Sequence, residues 1–225
     1  MKKEYKMSDT RNMAKEQLPE PTLRRLPWYL AYVKLLESQC VSHVSSTQIA
    51  KEINVDPSQI AKDLSFLSVK GKTRIGYEVH TLVKELTDFL GFKHKHNAFM
   101  IGVGSLGDAL IRDVGLAQYG LNIVAGFDVD DQVVARSDYG VPIYNMSELA
   151  RRQKEYGVSI GILAVPVEQA QIAANVMIES GLKAIWNFTP FRIKTPAHIV
   201  IQNTSIYAHL AVMYYRMDEM CAKYK

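Results

Sequence analysis

Ala98-Phe99-Met100-Ile101-Gly102-Val103-Gly104-Ser105-Leu106-Gly107-Asp108-Ala109-Leu110 decides the fold. A short apolar run leads into Gly-x-Gly-x-x-Gly and then into residues that favour helix. In a strand–turn–helix unit each glycine serves a separate purpose. Gly102 makes the tight turn, Gly104 lets the backbone approach a pyrophosphate, and Gly107 lets helix and strand pack closely. Gly102, Val103, Gly104, Ser105, Leu106 and Gly107 together form the expected phosphate cradle. Its anion would sit on the helix N-terminus, where free N–H groups and the macrodipole favour negative charge.

The surroundings fit a dinucleotide. A second apolar run, Leu121-Asn122-Ile123-Val124-Ala125-Gly126-Phe127, ends in Asp128, 21 positions after Gly107. An acidic residue there accepts hydrogen bonds from an adenosine ribose 2′-OH and repels a 2′-phosphate. Asp128, with Val129 and Asp130 beside it, therefore selects NADH/NAD⁺ over the phosphorylated forms. A lone glycine fingerprint also arises where a turn merely packs a strand on a helix. Another nucleotide on the same fold is the nearest competitor.

Further on, Val141-Pro142-Ile143-Tyr144 is a short strand-like piece, followed by a helix from Ser147. Ser159 to Pro166 reads as a buried strand and Val167 to Ser180 as a helix. Lys183 to Phe188 is another strand, and Ile199-Val200-Ile201 one more. Strands alternating with helices imply an α/β fold with a parallel sheet covered on both faces. Ligands of such sheets sit beyond the strand C-terminal ends. Ala164, Val165 and Pro166, and Asn187, Phe188 and Thr189, therefore join the expected rim. Thr204 to about Ala222 is a last helix, with Ile206, Leu210, Met213, Met217 and Met220 on one stripe and more apolar side chains around it. A helix this apolar should be buried on more than one side, most economically against a second protomer.

The first part of the chain differs in character. The net charge of +4 is uneven: residues 1–97 carry a balance of +5, and residues 98–225 a balance of −1. The basic part suggests a polyanion partner. Residues 1–20 are polar and aperiodic, an expected disordered tail. From Pro21 a helical pattern runs to Leu36, interrupted or begun again at Pro27. Ser45 and Ser46 cap a second helix, and Asp56 with Pro57 opens a third that runs to about Leu67. Ile60, Leu64 and Leu67 form its buried stripe; Ser58, Ala61, Lys62 and Ser65 lie opposite, with Gln59 and Phe66 on the flank. That face suits a helix in a DNA major groove, although on its own it equally suits a solvated surface. The next stretch, Val69 to Val79, decides between them. It reads as a hairpin with a basic tip, and alternation would project Lys70, Lys72 and Arg74 from one side of a strand toward phosphates. The arrangement is a winged helix-turn-helix over residues 21–91, with Ser58, Gln59, Lys62, Ser65, Lys70, Lys72 and Arg74 facing double-stranded DNA. His80 to Leu90 is a linking helix and Gly91 to Asn97 a junction. His94 and His96 read as a solvated basic loop rather than metal ligands, and no metal is expected.

Length and composition bound the rest. The 225 residues allow two domains, and 48% hydrophobic residues suit an ordinary globular protein. No apolar stretch approaches the ~20 residues of a membrane span, and no export signal is visible, so a cytoplasmic protein is expected. Cys40 and Cys221 lack metal or redox spacing and read as small buried hydrophobes.

The combination resembles the Rex family of bacterial NADH-sensing transcriptional repressors. The resemblance is carried by Pro21-Thr22-Leu23-Arg24-Arg25-Leu26-Pro27, Lys62-Asp63-Leu64-Ser65, Gly76-Tyr77 and Gly102 to Gly107. Phe127-Asp128-Val129-Asp130, Val165-Pro166 and Asn187-Phe188-Thr189-Pro190 complete it. It implies a Rossmann domain over residues 92–203 and a dimerisation helix over 204–225, exchanged in a homodimer. It also implies an inverted-repeat operator bound when NADH is low and released when NADH binds. The nicotinamide would lie near Val165, Pro166, Asn187 and the exchanged helix. The chain departs from the family pattern at Ala61, Phe66, Thr73 and Asp113, and at Ala31 and Ser205, where an Arg and an Asp are common. A small NAD-dependent oxidoreductase with a basic appendage is the alternative. It would need an acid/base group on the rim, and Val165, Pro166, Asn187, Phe188 and Thr189 offer none, so no catalytic residue is expected.

Overall fold

The computed structural model describes residues 18–223. They gather into two compact units, one ending at Lys93 and the other beginning at His94. The expected disordered tail lies outside the described residues as far as position 17, and Glu20 already opens a helix.

The first unit runs α1 (Glu20–Ser38), β1 (His43–Val44), α2 (Ser46–Ile53), α3 (Pro57–Leu64), β2 (Tyr77–Glu78) and α4 (Val79–Phe89). Ser45 caps α2 through a reciprocal capping box with Gln48. Asp56 accepts from the Ser58 N–H and opens α3, with Pro57 in its first turn. Pro27 does not interrupt α1, contrary to the sequence expectation. An interior proline costs about 3 kcal/mol. Here Leu26, Tyr29, Leu30 and Val33 are wholly buried on the same helix, and each such side chain contributes ~1.5–3 kcal/mol. Burial wins. The expected linking helix is a core helix: Val79, Leu82 and Leu86 of α4 pack in one cluster with those α1 residues. The third helix is a turn shorter than its stripe suggested. Ser65 Oγ donates back to the Lys62 carbonyl at 2.6 Å and the next turn tightens, with Leu67 N bonded to Leu64 O.

The hairpin is reduced to one bridge. Lys72 and Gly76 exchange two backbone hydrogen bonds of 2.8 Å around Thr73-Arg74-Ile75. Arg74 lies in the left-handed region, φ 66°, so it sits in the turn rather than alternating with Lys70 and Lys72 along a strand. β2 then pairs antiparallel with β1. At Gly76, φ 94°, a Cβ would meet the Val44 carbonyl oxygen at 2.3 Å, so only glycine closes this corner.

The second unit contains β3 (His96–Ile101), α5 (Ser105–Arg112), α6 (Val114–Gln118), β4 (Leu121–Asp128), α7 (Asp131–Val134) and β5 (Ile143–Asn145). A 3₁₀ turn at Met146–Glu148 leads to α8 (Leu149–Tyr156), β6 (Ile160–Leu163), α9 (Val167–Glu179), β7 (Ala184–Asn187), β8 (Val200–Asn203) and α10 (Ile206–Lys223). The sheet order is β5-β4-β3-β6-β7-β8, parallel throughout. The order reverses between β3 and β6, the switch point where open α/β sheets take ligands. Asp113 ends α5 and caps α6 by accepting from the Gly115 N–H at 2.8 Å. Both α6 and α7 occupy stretches without a clear sequence period. Both cysteines are exposed, correcting the expectation of buried thiols: Cys40 turns left-handed just past α1, and Cys221 lies on α10. That helix is exposed along most of its length, including Met213, Tyr214, Met217 and Met220.

Candidate functional site

At the switch point the three glycines differ in their surroundings. Gly102 has φ 87°, and a Cβ on it would lie 2.6 Å from the Ala164 carbonyl oxygen. A Cβ on Gly107 would come within 2.1 Å of the Gly102 carbonyl oxygen, so α5 can approach the turn only without a side chain there. Nothing lies within 4 Å of a Cβ on Gly104. The first and third glycines are therefore set by packing, and the middle one by open space. No side chain caps α5, whereas α2, α3, α6 and α7 are capped by Ser45, Asp56, Asp113 and Asp130. Of the cradle residues, Gly104, Ser105 and Leu106 are exposed. An uncapped N-terminus beside an open glycine is where an anion gains most from backbone donors.

Asp128 does more than the sequence suggested. Its Oδ2 accepts from the Val103 N–H at 2.7 Å, and its Oδ1 from Val129 and Asp130 at 2.8 and 3.0 Å. The carboxylate thus ties the glycine turn to the end of β4. A carboxylate offers about four lone-pair sites, so three backbone donors leave one acceptor for a ribose hydroxyl. Val103 itself is buried and gives its N–H to Asp128, so it supports the cradle rather than lining it.

A cavity of about 350 Å³ opens here, lined by Gly102, Gly104, Asp128, Val129, Asp130, Ala164, Val165 and Pro166 among others. Val133, Met146, Gln169, Ile172, Ala173 and Val176 also line it and were missed from sequence. A signal existed: α9 buries Ala170, Ala174 and Met177 on one stripe, while Ile172, Ala173 and Val176 form a second apolar one beside it, with the polar Gln169 at its end. A helix with two apolar stripes faces two things. Val129 and Ile172 remain 77% and 59% exposed, so the cavity offers an apolar wall for a flat ring.

A second cavity of about 220 Å³ adjoins, lined by Leu106, Ala164, Val165, Phe188, Thr189, Pro190, Ile206 and Tyr207. Asn187 is not on either rim. It is wholly buried; its Nδ2 donates to the Phe191 carbonyl at 2.8 Å and to Asn203 Oδ1 at 2.9 Å. Its Oδ1 accepts from the Thr189 N–H and hydroxyl. Buried amides must find partners, and this one shapes the loop that carries Phe188 and Pro190. Ser105 and Gly107 line neither cavity.

In the first unit the decisive residue is one the periodicity did not single out. Asp63 lies on α3, wholly buried. Arg25 forks onto it, Nε to Oδ2 at 2.7 Å and Nη2 to Oδ1 at 2.9 Å. Tyr29 OH donates to Oδ2 at 2.6 Å, Thr22 Oγ1 to Oδ1 at 2.9 Å and Gln59 Nε2 to Oδ1 at 2.8 Å. Burial alone would raise this carboxyl; the donors, Arg25 first, outweigh it and hold the pKa down at about 2. Burial and the same carboxylate push the Tyr29 phenol up. The network pins α3 across α1 and leaves the opposite face of α3 outward. There Ser58 Oγ is engaged by Asp56 and Ser65 Oγ by the Lys62 carbonyl. Lys62, Lys70, Lys72 and Arg74 are exposed, and no carboxylate pairs with them among the described residues. Uncompensated cations beside an outward helix face suit a phosphate backbone.

Comparison with known proteins agrees with both halves. Residues 17–65 match the family described as "Putative DNA-binding protein N-terminus", and residues 93–191 that described as "CoA binding domain". The redox-sensing transcriptional repressor Rex of Bacteroides fragilis is 57% identical, over 90% of this chain and 92% of its own. That of Porphyromonas gingivalis is 54% identical, over 91% and 94%. Among solved structures, the repressor RSP in complex with β-NAD⁺ and operator DNA superposes with a TM-score of 0.84. It is 30% identical, over 90% of this chain and 93% of that one. RSP in complex with β-NADH superposes at 0.82, 29% identical, over 94% and all of that chain. The chain belongs to the Rex family of redox-sensing transcriptional repressors and is a DNA-binding regulator rather than an enzyme.

Proposed function

We propose that the protein holds an inverted-repeat operator through α3 and the Lys72–Gly76 turn, and that NADH in the switch-point cavity releases it. The observation that carries this reading is its likeness, over nine-tenths of the chain, to a repressor solved both with NAD⁺ and operator DNA and with NADH. The pyrophosphate rests on the N–H groups of Gly104, Ser105 and Leu106. The adenosine lies between Val129 and Ile172, with its ribose on the remaining lone pair of Asp128. The nicotinamide reaches the second cavity, beside Leu106, Val165, Phe188 and Thr189. Ser58, Gln59, Lys62 and Ser65 face the major groove, and Lys70, Lys72 and Arg74 the phosphates.

The working unit is a homodimer. On α10, Tyr207, Met213, Tyr214, Met217 and Met220 are about half exposed or more, a larger apolar surface than one chain leaves to water. A second copy covers it by exchange of the helix. Among the described residues no helix is long and apolar enough to cross a membrane, and the DNA target places the protein in the cytoplasm.

The test is fluorescence anisotropy on labelled palindromic duplexes, with NADH and NAD⁺ titrated into the preformed complex. NADH should release the duplex at concentrations where NAD⁺ leaves it bound. Equal effects of the two nucleotides would overturn the reading.

A further inference from the structure

We infer that Gln59 reads an adenine in each operator half-site, its amide held in a single orientation by the buried Asp63. The inference rests on the proposed role of α3 and goes beyond it by naming the residue, the atom and the base.

Gln59 Nε2 donates to Asp63 Oδ1 at 2.8 Å, one helical turn away. Asp63 cannot accommodate the reverse arrangement. Arg25 forks onto it through two nitrogens, and Tyr29 and Thr22 add hydroxyl donors. A carboxylate so surrounded is ionised and accepts only. A flipped amide would set Gln59 Oε1 against a negative oxygen. Asp63 is itself fixed, because turning it would break four other bonds in a site closed to water. Gln59 is half-buried, and among the described residues nothing donates to its Oε1.

The end of the amide left free by that bond is therefore an acceptor, with the second N–H also unused. In the major groove adenine offers an N6 donor beside the N7 acceptor, whereas guanine offers two acceptors, O6 and N7. A free Oε1 beside a free N–H matches adenine and opposes guanine. The neighbours on α3 do not duplicate this. Ser58 and Ser65 already donate their hydroxyl protons to Asp56 and to the Lys62 carbonyl, Ala61 has no polar group, and Lys62 is a donor suited to guanine or phosphate. Asp63 is a positioning residue: it touches no base but decides which end of Gln59 does.

The experiment starts from the best duplex selected out of a palindromic pool. Each A·T pair is replaced in turn by G·C, and each adenine by purine, which lacks the N6 amine. The full-length protein, Gln59→Ala and Gln59→Met are compared by anisotropy, with melting curves to establish that both variants are folded. One symmetric adenine should stand out: exchange to guanine weakens the unaltered protein about ten- to a hundredfold, and purine accounts for most of it. Both variants should lose a similar factor on the parent duplex and become indifferent at that position alone. Gln59→Met keeps the length of the side chain, so a merely structural role would leave its base preference intact. Discrimination that survives at every position in the variants, or a Gln59-dependent position that prefers guanine, overturns the inference. An unaltered protein that retains no duplex at low salt overturns instead the DNA-binding reading of α3 on which the inference rests.

Discussion

In the sheet unit, the turn that faces the cavity is fixed almost entirely by backbone. Gly102 and Gly107 have no room for a side chain, and Asp128 closes the arrangement through three N–H groups. In the helical unit, the outward helix is fixed by side chains: five donated hydrogen bonds converge on the single carboxylate of Asp63. Backbone devices leave a trace in the local sequence, because only glycine satisfies them. A side-chain network assembled from positions 22, 25, 29, 59 and 63 leaves almost none. The difference also separates how the two units should fail.

The largest expected effect comes from Asp63→Ala. It takes the acceptor from the buried Tyr29 and Thr22 hydroxyls, about 1–3 kcal/mol for each group left unsatisfied, while Arg25 stays in partial reach of water. The first unit should melt early in urea and DNA binding should vanish, while NADH titration of the second unit stays within a fewfold of the unaltered protein. Loss of NADH binding as well would erase the contrast between the units. Acid should act on the same group. The folded pKa of about 2 lies below the ordinary 3.8, so the stability Asp63 contributes is complete above about pH 4–5 and is lost as pH falls toward 2. Urea midpoints of the first unit should drop between about pH 4 and 2, and Asp63→Asn should flatten that dependence.

Gly102→Ala comes next. A left-handed φ costs an alanine ~1–2 kcal/mol, and forcing a methyl against packed backbone ~1–3 kcal/mol more. The sheet unit should be destabilised and NADH binding lost. Gly104→Ala has free space around its Cβ, so it should melt normally yet bind NADH more weakly, since the methyl occupies the path of the phosphates. Equal melting losses for the two variants would mean that the glycines serve packing alone.

These two cases also mark what was legible. The glycine turn and Asp128 follow from their spacing, and the alternation of strands with the longer helices from local patterns of period two or 3.6; the short α6 and α7 do not. Asn187 was legible as important but not for its role. It stands at the end of a strand, where a rim residue is expected, yet its side chain turns inward to Asn203 and Phe191. Pro27 carries a local penalty that tertiary burial overrules. The wall of the cavity on α9 escaped because its second apolar stripe resembles ordinary core. Asp63 stands within a family motif, but nothing in one dimension brings Arg25 and Tyr29 to it.

Asp128→Asn should have a smaller effect that sharpens the comparison. The amide keeps one acceptor but loses the charge, and a hydrogen bond to a charged group contributes ~1.5–3 kcal/mol. NADH should bind roughly ten- to a hundredfold more weakly, and the preference over NADPH should narrow. Isothermal titration with both nucleotides checks this; an unchanged preference would remove Asp128 from the selection of the ribose. The smallest effects belong to the exposed cations. Lys72→Ala and Arg74→Ala should each reduce the salt slope of DNA binding by about one unit with sequence preference intact. A shifted preference instead would move the turn from the phosphates to the bases.

In the proposed function one chain links a nucleotide in the sheet unit to DNA on the helical unit. Linkage makes it testable from the side opposite to DNA release, because binding free energies couple reciprocally. The measurement is the NADH dissociation constant of the full-length protein, with and without a saturating operator duplex. The duplex should weaken NADH by the same factor as NADH weakens the duplex, about five- to 150-fold for a typical coupling. An NADH affinity unmoved by saturating operator would contradict it.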